Sequence, residues 1–299
     1  GYSFTSLSGG QLHYCGVTTA TETYCWGAGG DGQLSWDPIY LPSCSLGIGA
    51  TAPCAPSPVQ VSHYSASVGD FVIITAGAGS TCGLDASGVA ACWGSNDYGR
   101  LGVSGISRSL VPVLVLAIPA MRAVAVGGYH SCGIATDGRA WCWGLNTSGQ
   151  LGTGDRTATS TPVPPTRVAY DNTYQRIGAG RVHTCALATG GAVYCWGNGT
   201  SGQLGNGDAN SWTMWPTEIL GGRVYRALGV APSHACAVTT GGEAFCWGNN
   251  YSGAVGDGSV YTVRSTPTAV LGGLAFATIA AGDGITCGVT AGGTAYCWG

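Results

Sequence analysis

The triplet Cys-Trp-Gly occurs six times along the chain, with its cysteine at Cys25, Cys92, Cys142, Cys195, Cys246 and Cys297. Successive copies lie 67, 50, 53, 51 and 51 residues apart. Each has a second cysteine ten positions upstream, at Cys15, Cys82, Cys132, Cys185, Cys236 and Cys287. A unit of this length cannot bury an apolar face alone. Its copies must stack on one another, so the chain is first a scaffold and only then a site.

Each cysteine pair brackets a turn, as in "ATDGRA", "ATGGAV" and "TTGGEA". Asp-Gly and Gly-Gly tolerate the positive φ that tight hairpins need. In "CALATGGAVYC" the flanking residues alternate, which predicts two short antiparallel strands with Cys185 and Cys195 on one face. A further strand is expected before each hairpin, as in 121–128, 173–180 and 275–282. An outer strand is expected in the linker that follows, as at 266–270. A glycine five residues before the first cysteine (Gly10, Gly77, Gly127, Gly180, Gly282) predicts a tight bend, with Ala231 in its place in the fifth copy. Units of about 50 residues with three or four strands and no helical periodicity predict an all-β fold of β-propeller blades. An open solenoid is the alternative. The chain is expected to form a single domain over residues 1–299, with an insertion at about 36–58.

The segment "GGYHSCGIATDGRAWCWGLNTSGQLGTGD" (127–155) resembles the repeats of the regulator of chromosome condensation family. The resemblance implies a β-propeller, typically seven-bladed. The six cores here make either a six-bladed propeller or part of a seven-bladed ring. Members serve in nucleotide exchange at chromatin, in β-lactamase inhibition, in plant receptor-kinase ectodomains and in ultraviolet sensing through tryptophan clusters. Here six of the 10 tryptophans belong to the repeated triplet and are expected to pack blades. The paired cysteines are a departure, since intracellular members generally lack them. So is the long first unit, whose segment 36–58 holds a seventh pair, Cys44 and Cys54.

Zinc sites want short Cys-x2–4-Cys spacings and a second close pair, which this chain lacks. Nine residues between partners on a hairpin suit local disulfides, and so many of them imply an oxidising compartment. The expected location is secreted or cell surface. No basic start with an apolar run and cleavage site is visible. No run of 18 apolar residues predicts a membrane span, so direct membrane insertion is not expected. With 11 Lys and Arg in all and a net charge of −3, the chain lacks the basic footprint of a nucleic-acid binder. Charged residues are only 8%, so solubility rests on Ser, Thr, Asn, Gly and any glycans. Sequons at Asn146, Asn198 and Asn250, all just after the triplet, are candidate N-glycosylation sites.

Nothing in the sequence proposes a catalytic residue, a cofactor or a metal. There is no G-x-S-x-G elbow and no phosphate-cradling G-x-x-x-x-G-K-[ST] loop. His13, His130, His183 and His234 stand two residues before the first cysteine of their units. They are expected to pack or hydrogen-bond within their own blades. The distinctive residues are aromatic and apolar ones in the variable linkers: Trp36, Tyr40, Trp212, Met214, Trp215, Tyr251 and Tyr261. Exposed Trp and Tyr are good interface anchors. The expected function is an extracellular recognition or assembly module that binds a protein partner, or further copies of itself, through propeller loops. A carbohydrate-binding propeller and a channel-mouth lyase or hydrolase are the alternatives.

Overall fold

Five of the cysteine pairs sit directly opposite one another across antiparallel strands in the computed structural model: Cys15–Cys25, Cys82–Cys92, Cys185–Cys195, Cys236–Cys246 and Cys287–Cys297. All five are disulfides with Cα atoms 4.0–4.1 Å apart. Cys132 and Cys142 are disulfide-bonded as well, and Cys44 bonds Cys54. The structure describes residues 1–45, 51–61 and 69–299. Part of the predicted insertion, 46–50, lies outside the described residues.

The strands of the described residues form six sheets. Blade 1 holds Phe4–Gly9, His13–Thr18, Thr23–Ala28 and Thr51–Gln60, with the short Ser43–Ser45 beyond the last. Blade 2 runs Phe71–Ala76, Ser80–Asp85, Ala90–Ser95 and Arg108–Leu114. Blade 3 runs Met121–Val126, His130–Ala135, Ala140–Gly144 and Val163–Arg167. Blade 4 runs Tyr174–Ala179, His183–Ala188, Val193–Asn198 and Trp212–Glu218. Blade 5 runs Tyr225–Val230, His234–Thr239, Ala244–Asn250 and Thr262–Ala269. Blade 6 has three strands, Phe276–Gly282, Ile285–Thr290 and Ala295–Trp298. The fold is all-β and built of propeller blades. By packing, the chain forms two compact units: residues 1–136 with 143–145 and 161–166, and residues 137–142, 146–160 and 167–299.

The hairpin turns follow from their glycines. Ala188 N–H donates to Ala192 O, and Gly191 N–H donates to Ala188 O. This is a three-residue loop whose last position must be left-handed. Gly191 supplies it at φ 88°, and only this second glycine of the Gly-Gly pair has a positive φ.

The Cys-Trp-Gly triplet is explained by the strand period. Adjacent side chains leave opposite faces of a strand, so cysteine and tryptophan face different neighbours. The cysteines join the core shared with the following blade. Cys15 and Cys25 pack with Phe71 and Trp93. Cys185 and Cys195 share a core with Tyr225 and Trp247, and Cys236 and Cys246 share one with Phe276. The tryptophans face back. Trp93, Trp143, Trp196 and Trp247 are wholly buried. At about 25 cal/mol per Å2 over roughly 200 Å2, each contributes about 5 kcal/mol of gross transfer free energy. The glycine ends the ladder with the preceding strand, where Gly248 faces His234. Gly248 has φ 109°, and a Cβ there would lie 2.7 Å from Ser233 O and His234 Cα. Just before it the outer strand bulges, with Cys246 opposite Thr268 but Gly248 opposite Arg264, and pairing resumes as far as Asn250 opposite Thr262.

The glycines before the first cysteine do more than bend the chain. A Cβ at Gly77 would lie 2.9 Å from Gly127 O, and one at Gly180 would lie 2.7 Å from Ala231 O. They let adjacent blades approach closely.

Candidate interaction surface

Each linker turn of the form G-x-[LV]-G or G-Q-L-S is sealed into the next blade. Leu34, Leu101, Leu151, Leu204 and Val255 are fully buried. The carbonyl of the residue just before each accepts the indole N–H of the next tryptophan. Trp93 Nε1 donates to Gln33 O at 2.9 Å, Trp143 to Arg100 O at 2.9 Å and Trp196 to Gln150 O at 3.0 Å. Trp247 donates to Gln203 O at 3.0 Å and Trp298 to Ala254 O at 2.9 Å. In four blades the same carbonyl accepts a hydroxyl as well, from Thr81, Ser131, Thr184 or Thr286. Five tryptophans are thereby committed to holding blades together.

Two of the histidines, His13 and His234, join the same clamp and reach beyond their own blades. His13 Nε2 lies 2.8 Å from Thr81 Oγ1, and His234 Nε2 lies 2.8 Å from Thr286 Oγ1, each one blade further on. Each threonine hydroxyl donates to a carbonyl, so it must accept from the ring, which places the imidazole proton on Nε2. Burial pushes both histidines down to about 4, and His130 to about 3. His13 and His234 are neutral struts.

The sequons divide. Asn146 and Asn250 are buried, and their side chains lock the loop that carries the clamp. Asn250 Oδ1 accepts Val255 N–H at 2.9 Å while Nδ2 donates to Ser259 O at 2.9 Å. Asn146 likewise accepts Leu151 N–H at 3.2 Å and donates to Asp155 O at 3.1 Å. Asn96, which is no sequon, does the same with Leu101 N–H at 2.9 Å and Ile106 O at 2.8 Å. These bonds make Asn146 and Asn250 loop locks in the folded chain, and a glycan on Nδ2 would break them. Asn198 stands one position earlier in its loop. It is half-buried, and its Oδ1 accepts from Thr200 N–H at 3.0 Å. The Asn250 loop has a further brace, Asp257 paired with Arg264. Burial works against that carboxylate, but hydrogen bonds from Ser259 and Arg264 outweigh it and hold Asp257 at about 2.

With the repeated residues assigned to the scaffold, the linker aromatics stand out. Trp36, Tyr40, Trp212, Trp215, Tyr251 and Tyr261 are all exposed. Met214 is half-buried. It lies close against Gly149, where a Cβ would meet Met214 Cγ at 3.0 Å. Trp212 and Trp215 emerge together because the strand bulges between them. Gly197 pairs with Thr213 but Cys195 with Thr217, and Trp215 N–H donates to Thr213 Oγ1 at 3.2 Å. Two residues join them that the sequence did not single out. The Arg156 guanidinium lies over the Trp212 ring, 3.7 Å from its centroid. Tyr170 packs on Trp215 with centroids 5.5 Å apart. The Trp215 ring covers Gly154, where any side chain would strike it. Tyr251 and Tyr261 form a second pair, edge to face at 6.4 Å. Trp36 is tethered through Nε1 to Gln60 O at 3.1 Å, and Tyr40 ends the short turn Pro38–Tyr40. Tyr170 and Tyr261 also hold positive φ, 67° and 56°, a conformation uncommon outside glycine.

Among the described residues, no group of three or more His, Cys, Asp or Glu could hold a metal ion. No helix among them is long and apolar enough to cross a membrane.

The sequence matches the regulator of chromosome condensation (RCC1) repeat at residues 90–134, 137–187 and 190–237, and a second description of that repeat at 121–150, 175–203 and 232–254. It is 30% identical over 264 residues to the human E3 ubiquitin-protein ligase HERC2, covering 87% of this chain and 5% of that protein. It is 29% identical over 260 residues to the ultraviolet-B receptor UVR8 of Arabidopsis thaliana, covering 85% of this chain and 55% of that one. The chain thus spans little more than half of one relative and a small part of the other. Its structure superimposes on yeast RCC1 (Prp20), solved with Kap60 bound, with a TM-score of 0.83 at 20% identity over 98% of this chain and 69% of that one. That likeness shows a shared propeller fold. The chain belongs to the regulator of chromosome condensation repeat family.

Proposed function

We propose that this chain is an extracellular recognition or assembly module that binds a protein partner through its exposed linker aromatics. The observation that carries this is the cluster of Arg156, Trp212, Trp215 and Tyr170. Its side chains hold one another in place, so little freedom is lost on binding. Aromatic residues and Arg are the types that dominate protein interfaces. Tyr170 bears a strained backbone, and such outliers gather at functional sites. The propeller relative solved with Kap60 is itself a protein binder. The extracellular part rests on the disulfides, since no described cysteine is free and such density needs an oxidising compartment. The exposed aromatics sit in three different local settings instead of recurring on every blade, which favours one protein partner over repeated sugar sites.

The test is site-specific photo-crosslinking on intact cells or extracellular fluid of the source. A crosslinker in place of Trp215 should capture one discrete protein. One in place of the exposed Ser87 should not. Capture from a neighbouring position should vanish with Trp212→Ser and Trp215→Ser. Equal capture from both positions would sink the proposal, and so would a glycan as the only bound species.

A further inference from the structure

Arg156 is exposed, and among the described residues it forms no ion pair. The carboxylates near it in sequence are committed elsewhere. Asp155 Oδ1 accepts the Thr153 hydroxyl and the Asn146 amide, and Asp171 pairs with Arg139 and Arg167. The Arg156 side chain is nonetheless held in place. Its backbone projects from a locked loop, in which Thr157 N–H donates to Asn146 O at 3.2 Å and Asp155 O accepts from Asn146 Nδ2 at 3.1 Å. The guanidinium carbon lies 3.7 Å from the Trp212 ring centroid. Only a stacked guanidinium comes this close, because an edge-on approach would drive its nitrogens into the ring. Stacking covers one face and leaves the N–H groups around the rim free. A positioned planar fork of donors matches a carboxylate.

The apolar half of the cluster exceeds what the scaffold needs. Leu220 and Leu271 cover Gly207 and Gly258, and each is followed by a glycine of positive φ, Gly221 and Gly272. Ala169 holds the equivalent place in blade 3. Its N–H donates to Gly152 O, as those of Leu220 and Leu271 donate to Gly205 O and Gly256 O. There Trp215 covers Gly154 instead, and Tyr170 takes the left-handed position that the other two blades give to glycine. A leucine and a glycine would fill that space. A tryptophan 41% exposed, beside a tyrosine in a disfavoured backbone state, adds contact surface that filling does not require.

Resting on the protein-binding reading above, we infer that this cluster takes an acidic segment of the partner. An Asp or Glu carboxylate meets the Arg156 guanidinium through two parallel hydrogen bonds. A leucine or aromatic residue two or three positions away packs on Trp215 and Tyr170. Charge complementarity names the acid, since the cluster offers one unpaired cation. The spacing follows from the strand. Trp212 and Trp215 are three residues apart, at most about 10 Å, and an extended partner places alternate residues on one face about 7 Å apart. Pro216 in the same strand has no N–H to offer an added strand, so recognition runs through side chains.

The test pans a random peptide library on phage against the full chain and measures the selected peptides by fluorescence polarisation. Selected peptides should share an Asp or Glu two or three positions from Leu, Phe, Tyr or Trp. Replacing that acid by its amide, and Arg156→Gln in the protein, should each weaken binding at least tenfold. The two changes together should cost little more than either alone. Arg156→Lys, which keeps the charge but not the fork, should recover only part of the loss. Both variants should unfold at the wild-type temperature, because the side chain is exposed. Selected peptides without an acid, additive losses, or no selection at all would overturn the inference. If acid-free peptides lost binding with Trp215→Ser, the protein-binding surface would stand and only its choice of an acid would fall. If Trp215→Ser changed nothing, both would fall.

Discussion

The indole of Trp93 donates to the carbonyl oxygen of Gln33 at 2.9 Å, across 60 residues of sequence, and the hydroxyl of Thr81 donates to the same oxygen at 3.0 Å. One backbone atom thus joins two blades. Repeated along the chain, this bond turns the commonest motif of the sequence into a fastening.

Trp196→Phe should destabilise the protein by about 2–4 kcal/mol, because it removes a buried donor from Gln150 O and leaves a void. Trp26→Phe, at a half-buried site with no acceptor among the described residues, should cost less than about 1 kcal/mol. Urea unfolding of the two variants side by side checks this. Equal losses would contradict the clamp.

Acid should weaken the fold through the histidine struts. His13 and His234 sit at about 4 in the folded protein, against roughly 6.5 when unfolded. Between those values the unfolded chain binds more protons, so stability rises with pH. The contribution is full above about 6.5 and is lost as pH falls toward 4, up to about 3 kcal/mol for each ring. His234→Gln should flatten the slope of unfolding free energy between these two pH values.

Asn250→Ala should cost about 1–3 kcal/mol by leaving the buried Val255 N–H unpaired. In a glycosylating host, peptide mass spectrometry should find no glycan on Asn146 or Asn250, and any glycan should be on Asn198.

The disulfides should open in order of burial. Cys82, Cys92, Cys185 and Cys195 are wholly buried, while Cys297 is exposed and Cys44 half-buried. Under mild reductant, alkylation should mark Cys287 with Cys297 and Cys44 with Cys54 first. Complete reduction removes roughly 2–3 kcal/mol for each ten-residue loop, so the midpoint of thermal unfolding should fall sharply once the inner pairs open.

Much of this was legible in the sequence, for a physical reason. A disulfide across a hairpin depends on local spacing, so Cys185 and Cys195 announce it within eleven residues. The propeller follows from the period of the repeat. What the sequence hid are partners far along the chain. His13 reaches Thr81, and Arg156 reaches Trp212, through contacts that no local pattern encodes. Asn146 and Asn250 matched a sequon by composition, while their actual work, bridging a backbone N–H and a carbonyl across a loop, shows only when the loop is closed. The bulge that turns Trp212 and Trp215 outward likewise has no one-residue signature.

The most direct measurement of the central claim is the exchange of the indole N–H groups in the intact protein, resolved residue by residue by nitrogen-15 NMR. Trp93, Trp143, Trp196 and Trp247 should exchange only through large-scale opening, and Trp26 should exchange orders of magnitude faster. If Trp93 and Trp196 exchanged as fast as Trp26, the blades would not be joined by these bonds, and the repeated triplet would need another explanation.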